Sequence, residues 1–302
     1  VIATGLNNIE PDRYIQDNSI IPPRFKPDNS NLLDTLKTEN KKTRAPIDLP
    51  GETPISDNNF NDKKNPSNKT ENNSLRVKPI MRTIDFRSDT QTLPSPNMLK
   101  AIQTAKLGDD VTHEDPTVND LEKFGAELLG KEASVLVSSG TMGNLIGVLI
   151  HCNRGEEVIA GAMSHICRGE AGGISVLGGV AIQPINTAPD GTLPIADIES
   201  AIKPDDYHFP ITKLISVENT HNATGGKPLT ASYMNKIKSL AQKHNLKTHV
   251  DGARLFNAAI ALETPVKELV RDAETVSICL SKGLSAPVGS LLCGSEEDIV
   301  KA

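Results

Sequence analysis

Two residues whose types and spacing could do chemistry stand out: Asp251 in HVDGAR and, 31 positions on, Lys282 in LSKGL. Each follows a short apolar run, Lys247–Val250 and Thr275–Leu280, that reads as a strand. Between the runs, Arg254–Leu262 and Pro265–Arg271 carry helical spacing. A strand–helix–strand unit of this kind packs as a right-handed parallel crossover, so both strand ends reach the sheet edge where open α/β folds bind ligands. Pyridoxal phosphate needs such a pair. A lysine forms a Schiff base with its aldehyde, and a carboxylate keeps its ring nitrogen protonated so that the ring can act as an electron sink. Lys282 sits among small residues, Ser281, Gly283, Ser285 and Ala286, which let a bulky group approach the backbone. Desolvation there would free the amine's lone pair. The same spacing also describes a buried acid at a strand end and an ordinary surface lysine.

Other candidates lie upstream. Ala133–Val137 reads as a strand, followed by SSGTMGN (Ser138–Asn144) and an apolar helical run to Ile150. Backbone amides near Gly140 and Thr141, aided by the helix dipole, make an anion site suited to a phosphate. His165, in MSHICRGEAGG, either stacks flat on an aromatic cofactor or stands exposed in its turn. His221, in the polar loop ENTHNATGGKP, is either a general base or a loop histidine bonded to nearby backbone. The acidic loop GDDVTHEDP (Gly108–Pro116) invites a metal reading, but Asp115 before Pro116 explains it more simply as a helix N-cap. No metal site is expected.

The elements that must position these residues alternate. Asn97–Ala105 is expected to be a helix with Met98, Leu99, Ile102 and Ala105 on one face. A second helix follows Asp115. Glu157–Ala160, Ile174–Leu177, Val180–Ile185 and Lys213–Val217 read as strands, and Leu193–Ile202 and Thr230–His244 as helices. The alternation implies an α/β fold with a mostly parallel sheet over residues 82–302. Residues 1–80 differ: SDNNFNDKKNPSNKTENNS (Ser56–Ser74) shows no period and buries too little to offset its ordering entropy, so a disordered low-complexity extension is expected. The 302-residue chain carries a net charge of −6 and no dominant basic patch, which argues against nucleic acid. No apolar run is long enough for a membrane span, and the N-terminus has no secretory pattern. Cys152, Cys167, Cys279 and Cys293 form no CxxC pair and are expected to be buried free thiols of a cytoplasmic protein. Because the chain starts on Val1, it is expected to be a processed product, a fragment or an incomplete reading.

Taken in order, FRSDT, GDDV, EDP, SSGTMGN, SHI, ENTHN, HVDGAR and LSKGL with APVGS resemble the low-specificity threonine aldolases, pyridoxal-phosphate enzymes of the aspartate aminotransferase-like fold (fold type I). The resemblance covers about residues 82–302. It implies that Lys282 is the Schiff-base lysine, Asp251 partners the pyridine nitrogen, Arg254 bonds the phenolic oxygen and His165 stacks on the ring. It further implies that Gly140 and Thr141 hold the phosphate, Ser88 helps hold the substrate carboxylate, and His221 lies near the substrate hydroxyl. The implied reaction is retro-aldol cleavage of L-threonine or L-allo-threonine to glycine and acetaldehyde, by a homo-oligomer that is a tetramer in relatives. The related readings are a β-eliminating lyase, a racemase, or a cofactor-binding fragment without turnover. Ser285 stands where many relatives have Gly or Cys, and Thr112–His113 where they have Tyr-Gly. The family pattern continues past position 302 into a small domain that supplies a substrate-binding arginine, for which this chain has no matching position.

Overall fold

A computed structural model of the protein describes residues 84–302; the expectation made for residues 1–80 lies outside them. An arm from Ile84, with a 3-10 turn at Asp89–Gln91, leads into α1 (Pro96–Thr104) and α2 (Pro116–Leu129). Then follow β1 (Ala133–Val137), α3 (Gly140–Leu149), β2 (Glu156–Gly161), α4 (His165–Arg168), α5 (Gly173–Val176) and β3 (Ala181–Ile185). The chain continues through α6 (Ile195–Ala201), β4 (Ile211–Glu218), α7 (Ala231–Lys243), β5 (Lys247–Asp251), α8 (Leu255–Ala261) and α9 (Val266–Val270). It ends with β6 (Thr275–Cys279), β7 (Ser290–Gly294) and α10 (Glu296–Lys301).

Local chemistry sets the helix ends. Asp115 caps α2 by accepting from the Thr117 and Val118 amides, with Pro116 at the first helical position, and Gly130 ends the helix at φ 64°. Thr230 caps α7, whose Met234, Ile237, Leu240 and Ala241 recur at helical spacing and are buried. Burying one such side chain as large as Ile237 contributes roughly 1.5–3 kcal/mol.

The seven strands run β1-β7-β6-β5-β4-β2-β3. Neighbours from β6 through β3 are parallel, while β7 lies antiparallel between β6 and β1. Alternation along the strands builds two cores. Ile159, Ile215, Val217 and Val250 face one layer with α7, α8 and α9, while Val158, Ala160 and Leu214 face the other beneath α3, α4 and α5. The chain moves outward from β2 to β3 but the opposite way from β4 to β5 to β6. The reversal between β2 and β4 is a topological switch point, and the carboxyl ends of strands at such a point form the usual ligand crevice. Here they carry Gly161, Glu218 and Asp251.

One expectation needs correction. Ile174–Leu177 is not a strand. Gly172 adopts φ 68°, Val176 and Leu177 donate to the Gly172 and Gly173 carbonyls, and the resulting turn of α5 buries Ile174. The expected helix α1 forms; it has no buried residue, and Leu99 and Ile102 are half exposed. Cys152, Cys279 and Cys293 are buried, Cys167 is half-buried, and none of the four forms a disulfide. Among the described residues, no helix is long and apolar enough to cross a membrane.

Candidate active site

Asp251 ends β5 and is 3% exposed. Its Oδ1 accepts from the Ala253 amide at 3.1 Å and its Oδ2 from Asn144 Nδ2 at 2.9 Å. A carboxylate has about four acceptor sites, so capacity remains for a further donor. Asn144 Nδ2 also donates to Glu170 Oε1 at 2.7 Å, and His165 Nδ1 lies 2.8 Å from the same oxygen. Ligand atoms of His165, Glu170 and Asp251 all fall within 4.8 Å of one another. The set is close enough for a cation, yet the Asn144 N–H groups already point at one oxygen of each acid, which favours a hydrogen-bonded site over a metal centre.

His165 opens α4, and its amide donates to Glu218 Oε2 at 2.6 Å. The Glu170 bond raises the imidazole's proton affinity; burial opposes it, and the Asp251 charge adds to the rise. Glu218 also accepts from the Asn222 amide at 2.8 Å, tying the His165 turn to the loop after β4. Burial, reinforced by the Asp251 charge, pushes the Glu218 carboxyl above its ordinary value. Glu170 Oε2 is buried without a partner.

Lys282 follows β6. Its carbonyl accepts from the Thr92 hydroxyl at 2.6 Å and from the Ser285 amide at 2.8 Å, which fixes the turn. Its amine makes no hydrogen bond or ion pair with a described residue, yet its charge is felt at both Asp89 and His165. Arg254, just before α8, pairs with Asp89 through Nε at 2.7 Å and a terminal nitrogen at 2.8 Å. Burial opposes ionisation of Asp89, but this fork holds its carboxyl below the ordinary value. Ser88 caps the Asp89–Gln91 turn, accepting from the Thr90 amide at 3.2 Å. The arm is thus pinned to the cleft at two points, Asp89 and Thr92.

The turn into α3 presents its first amides. Ser139 caps the helix through the Met142 amide, and the Gly140 and Thr141 N–H groups have no protein partner among the described residues. A Cβ on Gly140 would stand 2.6 Å from Cys279 Sγ, so only glycine lets the turn lie this low. His221 is placed differently. It is 2% exposed, its Nε2 has no partner, and it lines an internal gap with Gly161, Ser164, Leu193 and Glu218. Burial lowers its proton affinity and keeps the ring neutral.

The structure brings Asp251, Glu170 and His165 together, ties Arg254 to Asp89 beside Ser88 and Lys282 to Thr92 on the same arm, and sets His221 against an internal gap beside Glu218. Sequence reasoning missed Asn144, Glu170, Glu218 and Asp89. Asn144 stood inside SSGTMGN, one helical turn past Gly140, and Asp89 stood next to Ser88. Glu170 and Glu218 carried no signal beyond their nearness to His165 and to the end of β4.

The cleft and its sheet define a fold that solved proteins share. The chain aligns with the structure of threonine aldolase from Leishmania major at TM-score 0.60 and 26% identity, over 70% of this chain and 62% of that one. The chain belongs to the Beta-eliminating lyase family, whose sequence profile matches residues 85–302. The family is one of pyridoxal-phosphate enzymes. Over 225 residues the chain is 52% identical to a probable low-specificity L-threonine aldolase 2 of Arabidopsis thaliana, covering 74% of this chain and 63% of that protein. Over 219 residues it is 50% identical to the low specificity L-threonine aldolase of Escherichia coli (strain K12), covering 72% and 65%. The chain spans less than two thirds of the length of either relative.

Proposed function

We propose that the protein binds pyridoxal phosphate and cleaves L-threonine and L-allo-threonine at Cα–Cβ, releasing glycine and acetaldehyde. The residues fit the cofactor. A glycine-only turn leaves helix amides free for a phosphate, a buried carboxylate keeps acceptor capacity for a ring N–H, and an amine unpaired among the described residues stands near enough for its charge to reach His165. When bound, the cofactor would supply the electron sink for the pair released from the broken bond.

Each residue then has a task. Lys282 would anchor the cofactor covalently through Nζ and return to it at the end of the cycle. Asp251 would hold the proton on the ring nitrogen, placing charge where the developing carbanion needs it. His165, aimed by Glu170 and Glu218, would pack on the ring, and Arg254 would meet its phenolic oxygen while held by Asp89. Gly140 and Thr141 would bind the phosphate and Ser88 the substrate carboxylate. His221, neutral because it is buried, would accept the β-hydroxyl proton, directly or through a water that it orders. We also read the protein as a homo-oligomer, a tetramer by the family resemblance. Phe86, Leu93, Leu107 and Val111 support that reading, each more than four-fifths exposed on the arm and the loops flanking α1.

The observation that carries the proposal is the Lys282 amine, unpaired among the described residues, with its charge felt at Asp89 and at His165, which bonds the buried Glu170. Borohydride reduction of protein incubated with pyridoxal phosphate should leave the label on Lys282, and L-threonine should yield glycine and acetaldehyde in equal amounts. A label elsewhere would sink the assignment of Lys282. Pyruvate with ammonia would mark an eliminating lyase, and the mirror-image amino acid a racemase.

A further inference from the structure

Asn144 is 2% exposed and joins two halves of a buried polar chain. Its Nδ2 lies against two carboxylate oxygens, which only accept, so the amide cannot be flipped without opposing lone pairs to lone pairs. Its Oδ1 then needs a donor, and His249 Nε2 stands 3.2 Å away. His249 has no exposed surface, and burial lowers its pKa to about 4, so the ring is neutral and carries one proton. With that proton on Nε2, His249 Nδ1 must accept, and the Thr275 hydroxyl at 3.0 Å must donate. Thr275 Oγ1 in turn accepts from His151 Nε2 at 3.2 Å. Every donor in the series points the same way, from His151 toward the two acids.

The fold makes this chain possible. Asn144 and His151 are seven residues apart, Asn144 within α3 and His151 just beyond its last turn. His249 and Thr275 bridge them from β5 and β6. Gly147 lies between, and a Cβ there would stand 2.5 Å from the His249 ring. An amide cannot pass a proton along, so the chain can transmit orientation but not protons. Linked dipoles in a low-dielectric interior reinforce one another.

We propose that Asn144 is a positioning residue that aims Asp251 and Glu170 together, its amide direction set by the two acids and its Oδ1 held in place by the series His249, Thr275 and His151. This rests on the cofactor reading above, because those two acids address the ring nitrogen and His165. Neither histidine touches the cleft, so their effect on the cofactor is entirely indirect.

The test uses Thr275→Val and Thr275→Ser in the full chain. In cofactor-free protein with 15N-labelled histidine, NMR should show wild-type His249 protonated on Nε2 alone. T275V removes the donor to Nδ1 and should shift the Nδ1 resonance, while Asn144 Oδ1 keeps the proton on Nε2. T275V should also take up pyridoxal phosphate about fivefold more weakly, the size of one neutral hydrogen bond, with a shifted visible absorption maximum. T275S should restore both readouts. A wild-type proton on Nδ1 would overturn the inference, as would a folded T275V that matches wild type in Nδ1 resonance, affinity and spectrum. The NMR arm needs neither cofactor nor variant. A wild type that shows the Nε2 proton but takes up no pyridoxal phosphate would sink the cofactor reading and uphold the direction of the chain.

Discussion

Three acids, Asp251, Glu170 and Glu218, are each buried to 5% exposure or less around His165. Such a concentration of acids bears directly on the proton affinity of His165. Its folded pKa is raised, first by the Glu170 bond and further by Asp251, against the opposing pull of burial. The sign follows from linkage. A base that holds its proton more tightly when folded adds stability below its unfolded pKa, near 6.5, and that stability is lost as pH rises through the higher folded value. The difference in unfolding midpoint between wild type and His165→Gln, both cofactor-free, should be largest near pH 5.5 and shrink toward pH 8. A constant difference across that range would mean that the imidazole is held by packing alone. At this scale the sequence showed the acid and the amine because their chemistry is unusual at strand ends. Glu170, Glu218 and Asn144 were not legible, since what joins them into one network is contacts between residues 26 to 107 positions apart.

Helix α3 is the element on which the cleft depends. Gly140, Gly143 and Gly147 line one face of it, and built Cβ atoms would stand 2.6, 2.9 and 2.5 Å from Cys279, Ser277 and His249. That face presses α3 onto β5 and β6 and brings Asn144 within reach of Asp251. Gly147→Ala should therefore destabilise by roughly 1–3 kcal/mol, as forced overpacking of a core does. The control is Gly173→Ala, where nothing lies within 4 Å of the added carbon and little change is expected. Urea unfolding measures both; G147A should lower the midpoint with its slope unchanged, and equal midpoints would show that the helix can lift away freely. Strands β1, β5 and β6 were readable because each is a short apolar run ending at a turn. Strand β7 was not, although SLLCG is as apolar, because local pattern carries no information about partner or direction. The error at Ile174 has a related origin, since a β-branched residue on a buried turn looks like a strand until the glycines beside it are given their φ.

For the molecule as a whole, the α/β alternation was legible in the sequence, while the strand order and the antiparallel insertion of β7 between β6 and β1 were set by long-range packing. The same architecture gives a global readout of the cofactor reading. A ligand that binds only the folded state at about 100 times its dissociation constant adds about 2.7 kcal/mol of stability. For a domain of this size each kcal/mol moves the midpoint by about 2–4 °C, so saturating pyridoxal phosphate should raise thermal unfolding by roughly 5–10 °C. Lys282→Ala removes the covalent link but leaves the α3 amides, Asp251 and Arg254 in place, so at the same concentration its midpoint should rise by a smaller amount. Asp251→Ala, which strips the acceptor for the ring nitrogen, should also reduce the rise. Scanning fluorimetry across a cofactor series separates the cases. No rise in wild type would end the cofactor reading, and an equal rise in wild type and K282A would show a bound phosphate compound that the lysine does not anchor.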